Sequence, residues 1–229
     1  MTTASPFNAE AQTAPLRPAG QRERAKDGRR RQIVQAAHDL LRSDGIEALS
    51  SRKIAAQAGV SLSTLYNLFG SKDAVLVAVY ADDLTRYEAL VQARASQDAL
   101  ARLFDAVDVA AELYAAEPDF YRATMWRRAP GEPLDTALRQ PRSRFWDNLV
   151  RAARHEGALR PDIDVETLSR TLVYMFSGAL GDWVAGDLSP DRFVRDISFG
   201  FAAALLPFAT LAATPRLRSY MNRSRGEPA

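Results

Sequence analysis

Cysteine is absent from the 229 residues, so disulfides, thiolate metal sites and cysteine nucleophiles are excluded together. The two histidines, His38 and His155, lie far apart in the chain, which disfavours a histidine-rich metal site. No metal and no cofactor is expected. Long apolar runs are also missing. The longest near-continuous one, residues 199–213, is 15 residues and contains Pro207, whereas a membrane span needs about 20. The first 28 residues hold no apolar segment of the signal-peptide kind. A cytoplasmic protein with no membrane partner is the expectation. There is no phosphate-binding glycine loop, no HExxH and no alternating strand pattern of any length. An enzyme would therefore lack its usual starting points, and a sheet is not expected.

The formal net charge is only +2, but its distribution is uneven. Residues 1–20 are polar and proline-dotted, and "QRERAKDGRRR" then sets six basic residues, Arg22 to Arg31, against Glu23 and Asp27. Residues 1–28 read as a disordered basic tail. From Ile33 the periodicity is helical, with Ile33, Ala36, Ala37, Leu40 and Leu41 on one face, and Gly45 can stop that helix. Ser50 or Ser51 can cap a short helix from Arg52 to Ala58. Gly59-Val60-Ser61 forms a turn, and Ser61 can cap a second short helix from Leu62 to Phe69. Lys72 opens a longer one. Helical stripes continue to the end, through starts at Pro118, Asp164 and Ser189-Pro190-Asp191, the last helix being expected to pass Pro207. The fold class is all-α.

Helices as short as residues 52–58 and 62–69 are marginal alone. Two of them around a glycine turn have the sequence shape of a helix-turn-helix, in which the first supports the second as it enters a major groove. The same spacing also suits a helical hairpin inside an unrelated bundle. Ile54, Ala55, Ala58, Val60 and Leu65 are the expected packing residues. Arg52, Leu62, Ser63, Thr64, Tyr66 and Asn67 are then left outward. Small hydroxyls permit close approach, a Thr methyl can touch a thymine methyl, and Asn and Arg can bind adenine and guanine bidentately. Ser50, Ser51, Tyr66 and Lys72 stand where hydroxyl, backbone N–H and ammonium donors can hold phosphates.

The stretch Gly45 to Val79 closely resembles the DNA-binding module of the TetR family of transcriptional repressors. The matching features are the Ser50-Ser51-Arg52 helix start, Ile54-Ala55, Ala58-Gly59-Val60-Ser61, Thr64-Leu65-Tyr66, Phe69 and Ser71-Lys72. The resemblance covers about residues 29–80 and implies a dimeric repressor that binds duplex operator DNA and responds to a small-molecule effector. It implies phosphate contacts at Ser50, Ser51 and Lys72, a base contact at Arg52, and recognition-helix roles for Leu62, Ser63, Thr64, Tyr66 and Asn67. Ser63 departs from the usual Gly, Ala or Pro, and Leu68 stands where His or Tyr is common. The implied layout is a tail (1–28), a helix-turn-helix DNA-binding domain (29–72), a helical ligand-binding and dimerisation domain (73–215) and a C-terminal tail (216–229).

Independent features of the larger region agree with that layout. The helix from Asp164 is apolar nearly all round, as a helix buried on two sides would be. Ser177, Gly178, Gly181 and Ala185 are small at helical spacing, and so are Gly200 and Ala204 on the next helix. A four-helix homodimer interface is favoured over tight packing within one subunit. Tyr114, Phe120, Tyr121, Met125, Trp126, Phe145, Trp146 and Tyr174 concentrate large side chains in the middle helices. Such a stripe suits plain core. As a group it also suits an apolar cavity, with Tyr114, Tyr121, Met125, Trp126, Trp146 and Tyr174 as ligand-binding candidates. Residues 121–160 carry nine arginines against four acids, either solvated faces or a basic mouth for an acyl-thioester. A ligand-responsive DNA-binding regulator is the leading reading. A helical enzyme and a DNA-organising protein without a ligand are the alternatives.

Overall fold

The computed structural model describes residues 19–96, 98–125 and 133–223. Among the described residues ten α-helices run in chain order: α1 (Ala19–Asp44), α2 (Ser51–Gln57), α3 (Leu62–Phe69), α4 (Lys72–Ala93), α5 (Ala99–Ala116), α6 (Pro118–Met125), α7 (Pro133–His155), α8 (Val165–Ala185), α9 (Pro190–Leu205) and α10 (Thr214–Arg223). Among the described residues the only extended pairing is an isolated bridge between Leu159 and Ala209. No described helix is long and apolar enough to cross a membrane.

Helices α1 to α3 form the head. Ile33, Ala37 and Leu41 of α1 meet Ile54 and Ala55 of α2 and Leu65 of α3 in one buried cluster. Each short helix starts on a serine cap: Ser50 Oγ accepts from the Lys53 amide at 3.2 Å and Ser61 Oγ from the Thr64 amide at 3.1 Å. Gly59 takes φ +64°, the left-handed turn that lets α3 leave α2 sharply.

Helix α4 joins head to body. It packs on α1 at one end and on α5 and α7 at the other. A second link runs through α6: Arg42 of α1 pairs with Glu117 at 2.9 Å, and the His38 ring lies 5.1 Å from Phe120. Glu117 is thus part of the junction. Helices α8 and α9 pack against each other and close the body over α5 and α7.

The chain differs from its sequence reading at three boundaries. The segment 19–28, expected as tail, is the first part of α1. Its Ala, Gln, Arg, Glu and Lys are good helix formers, and the helix is already nucleated on the buried Ile33. Residues 1–18 lie outside the described set. Helix α9 stops at Leu205 rather than passing Pro207, and a 3-10 turn, Leu206–Phe208, follows. Proline has no N–H to continue the ladder and crowds the preceding turn.

The described part of the expected tail 216–229 all belongs to α10, which docks on the body. Leu217 is fully buried, Tyr220 stacks on Phe104 at 3.5 Å, and Arg216 forks onto Asp98, with Nη2 2.9 Å from Oδ1. Arg216, above all, holds the Asp98 carboxyl below its usual range. The fork therefore contributes above the ordinary carboxylate value of about 3.9 and is lost as pH falls through the lowered folded value. Amide-exchange protection across residues 214–223, taken relative to the intrinsic rate at each pH, is expected to fall on acidification through that window and in Arg216→Ala at neutral pH. Protection that stays level in both would leave Leu217 and the stack as the whole anchor.

Candidate functional site: recognition helix and body cavity

The outer surface of the head is built on α3. Ser63, Tyr66 and Asn67 are exposed there, and Arg52 is exposed on α2. Tyr66 is 45% accessible and makes no part of the head's core. Leu62 and Thr64 differ from the outward placement expected. Leu62 is half-buried against the core, since it follows the cap and leans toward Leu65's side of the helix. Thr64 is half-buried and its hydroxyl lies 2.8 Å from Ser61 Oγ, so it also helps to fix the start of α3. Ser63 Oγ joins the same cluster at 2.9 Å.

Ser50 and Ser51 sit at the first turn of α2, where backbone N–H groups are unpaired by the helix and aim outward. Lys72 opens α4 on the same side as these residues, its Nζ donating to the Leu49 carbonyl at 3.3 Å. Leu68 is half-buried, and its carbonyl accepts from Arg30 of α1, whose guanidinium lies 4.3 Å over the Phe69 ring. That arrangement locks the end of α3 to α1. Arg22, Arg24, Lys26, Arg29 and Arg31 remain exposed along α1, so the basic run is a helical surface rather than a loose tail.

The second site is a cavity of about 80 Å³ in the body. Helix α4 supplies Tyr80, Asp83, Leu84 and Tyr87, spaced i, i+3, i+4, i+7 on one face. Tyr114 comes from α5, Tyr121 and Met125 from α6, and Arg142, Phe145 and Trp146 from α7. Val173, Phe176, Ser177 and Leu180 of α8 close it with the same helical spacing. Trp146 is held edge-on by Phe145 and Phe201 at 5.2 and 5.3 Å. The Tyr121 hydroxyl donates to Asp83 Oδ1 at 3.1 Å. Burial first, then the Asp83 charge, pushes the Tyr121 phenol well above its ordinary value, so it stays protonated. Tyr87 is raised too, chiefly by burial, and its hydroxyl donates to the Ala106 carbonyl at 2.8 Å.

Four of the six sequence candidates, Tyr114, Tyr121, Met125 and Trp146, line this cavity. Tyr174 does not. It is 67% exposed, because one residue beyond Val173 turns the helix 100° away from the cavity. Trp126 lies outside the described residues. Tyr80, Asp83, Tyr87 and Arg142 were missed, although the spacing of the α4 group was there to be read.

On the opposite side of α8, Tyr174, Met175 and, from α9, Phe199 are exposed apolar side chains. Gly181 and Ala185 are exposed beside them, Ser177 is exposed at the border between this face and the cavity, and Gly200 and Ala204 are half-buried. Among the described residues no group of three or more His, Asp or Glu side chains is placed to hold a metal ion.

A family model described as bacterial regulatory proteins, tetR family, matches residues 33–79. The transcriptional repressor KstR2 of Mycobacterium tuberculosis is 30% identical over 159 residues, covering 66% of this chain and 76% of its own. Thermus thermophilus FadR, a TetR-family transcriptional repressor solved with lauroyl-CoA, superposes with a TM-score of 0.63 at 24% identity, covering 79% of this chain and 95% of its own. RolR, solved with resorcinol, superposes with a TM-score of 0.65 at 13% identity, covering 87% and 96%. At these identities the two structures speak to the fold alone.

Proposed function

The chain belongs to the tetR family of bacterial regulatory proteins, DNA-binding transcriptional regulators of the helix-turn-helix type, and from that premise we propose a homodimeric repressor released from a near-palindromic operator by a small apolar or aromatic effector. The observation that carries the effector half is the course of α4. Lys72 at its start belongs to the DNA-facing side of the head, while Tyr80 to Tyr87, further along, wall the cavity. About 16 Å of rigid helix separates Lys72 from Asp83 at 1.5 Å per residue. A ligand that spreads the cavity walls tilts this lever and changes the separation of the two recognition helices.

The effector must bind the two arrangements unequally to shift them, and couplings of this kind are about 1–3 kcal/mol. At about 80 Å³ the cavity is small for a ligand site, since ligand pockets usually span roughly 300–1,000 Å³. Binding therefore has to widen it, which is what couples occupancy to the position of α4. An acyl-thioester is the second reading, favoured by the exposed Arg122, whose guanidinium lies 5.1 Å from the ring of Trp183. Tryptophan fluorescence titrated with aromatic compounds and with acyl-thioesters separates the two, since only the latter should weaken as salt rises. A gel shift on the protein's own promoter region with non-specific competitor tests the DNA half. No retarded band above competitor would sink it.

In this reading Ser50, Ser51 and Lys72 hold phosphates, and Arg52, Ser63, Thr64, Tyr66 and Asn67 read base edges with Leu62 at their margin. Lys72→Ala is then expected to weaken binding to all sequences alike. The log–log salt slope should flatten by about 0.9 for each phosphate no longer neutralised. A changed base preference with an unchanged slope would remove Lys72 from the phosphate set.

A further inference from the structure

The stripe of α1 that meets the head's core changes character along the helix. In steps of three and four residues, Arg22, Lys26, Arg29, Ile33, Ala36 and Leu40 fall on one side of the cylinder. From Ile33 onward that side is apolar and turned to the head: Ile33 and Ala36 are buried and Leu40 packs against the core. From Arg29 back it is cationic and exposed. The acids of the segment, Glu23 and Asp27, stand about 100° and 140° round the helix from Arg22. A helix face that served only solubility would interleave acids with bases and favour an acid in its first turn, where the dipole suits one. The first turn of α1 holds none. Among the described residues Arg22 and Arg29 have no ion-pair partner, and Lys26 reaches Glu23 at 3.5 Å with both side chains exposed. Arg30 fixes where the stripe changes. Its guanidinium donates to the Leu68 carbonyl and lies 4.3 Å over the Phe69 ring, at the end of α3 and just before Lys72. Residues 19–29 therefore project past the head where α3 hands over to α4, about 16 Å of helix at 1.5 Å per residue.

We infer, resting on the DNA-binding reading of the head, that residues 19–29 are a helical arm laid along the duplex outside each half-site, with Arg22, Lys26 and Arg29 on its phosphates. The stripe faces the α3 side of α1, and beyond the end of α3 no described residue stands there for it to face. Arginine and lysine only donate, and phosphate oxygens only accept. The three charges follow one another at about 6 and 4.5 Å along the helix. A duplex carries one phosphate per roughly 3.4 Å of axis on each strand, so side chains of this length can reach successive phosphates. Contacts of that kind add affinity and position without reading sequence. The arm thus lengthens the bound stretch of DNA at both outer edges of the operator and leaves the base preference to α3.

The test uses the full-length chain and two double variants with the same loss of charge at the same spacing. Arg22→Gln with Arg29→Gln strips the stripe, and Arg24→Gln with Arg31→Gln strips the opposite side of the same helix. Glutamine forms helix about as well as arginine, so circular dichroism should match for all three proteins. Binding is measured over a series of salt concentrations to a duplex from the protein's own promoter region and to a random-sequence duplex. The stripe double is expected to weaken both alike and to flatten the log–log slope on the promoter duplex by about 3.6, from four phosphates per dimer at about 0.9 each. The opposite double should move that slope by less than about 1. Hydroxyl-radical protection should shorten at both outer edges in the stripe double alone. Equal flattening in the two doubles shows a diffuse positive field rather than a contact face and overturns the inference, as does an unchanged slope in the stripe double. A changed preference between the two duplexes also overturns it, because the arm would then read bases. If the native chain binds neither duplex, the DNA-binding reading itself fails and this inference with it.

Discussion

Gly181→Leu is expected to leave the protein monomeric and to abolish specific operator binding while its helix content stays unchanged. The argument starts from what a glycine costs. In the middle of a helix it is about 1 kcal/mol less favourable than alanine, and such a cost persists where packing or function requires it. Within the chain nothing requires it. A Cβ built at Gly178 or Gly181 meets no atom within 4 Å, and neither residue has a positive φ. Both lie on the solvent side of α8, beside the exposed Tyr174 and Met175 and near Phe199 of α9. In the proposed homodimer a second copy of the chain, its α8 and α9 laid against these, would cover the rings and use the missing side chains for close backbone approach. Ala185, Gly200 and Ala204 belong to the same face, with Ser177 at its border.

In that dimer a leucine at 181 would fill the space the partner backbone needs, whereas a Cβ at 181 meets nothing inside its own subunit. That asymmetry makes the variant informative. Far-UV circular dichroism should show native helicity, sedimentation should show a monomer, and the specific gel shift should vanish. Linking two binding modules gains roughly 10² to 10⁴ in apparent affinity, and the monomer forfeits that gain. Should Gly181→Leu sediment as a dimer, α8 is not the interface and the small residues have another cause.

The head was legible in sequence because its rules are local. Caps at Ser50 and Ser61, the turn at Gly59 and the inward set Ile54, Ala55 and Leu65 depend on neighbours within a few residues. The ends were harder. α1 extends back to Ala19 because a helix already anchored at Ile33 can add turns of good formers cheaply. α10 exists because a distant acid, Asp98, and a distant ring, Phe104, wait for it. No local pattern in residues 214–223 announces partners more than a hundred residues away.

The cavity was half legible. Tyr114, Tyr121, Met125 and Trp146 could be gathered by size and position, but their helical phases relative to one another are set by packing. Tyr174 looks equivalent to Val173 in a helix apolar all round, and only the placement of α5 and α7 decides which of the two faces inward. Asp83 is the opposite case. Tyr80, Asp83, Leu84 and Tyr87 share one face by simple counting, and the acid among them meets the Tyr121 hydroxyl of α6.

Tyr66→Ala should remove discrimination between operator and competitor DNA while the dimer, the fold and the melting temperature persist. Tyr66 is 45% exposed on α3 and lies outside the core that holds the head together, so truncating it removes little packing. Its neighbour Leu65, fully buried, keeps α3 in place. Each recognition contact is worth about 1–3 kcal/mol, and two-fold symmetry doubles the effect to about 2–6 kcal/mol, or roughly 30-fold to 10⁴-fold. Half-sites on one face of the duplex, about 34–36 Å apart or a multiple of that, would both be affected. Thr64 makes the instructive control. Its hydroxyl lies 2.8 Å from Ser61 Oγ, so Thr64→Ala removes a possible base contact and also loosens the start of α3, and should likewise abolish specific binding. Thr64→Ser keeps the hydroxyl and deletes only the methyl, so a weaker preference at one base pair, with stability unchanged, isolates the methyl's role. Competition gel shifts, with melting curves on the same preparations, decide the matter. If Tyr66→Ala binds operator with native affinity over competitor, Tyr66 does not touch DNA and the recognition surface must be redrawn around Arg52, Ser63 and Asn67.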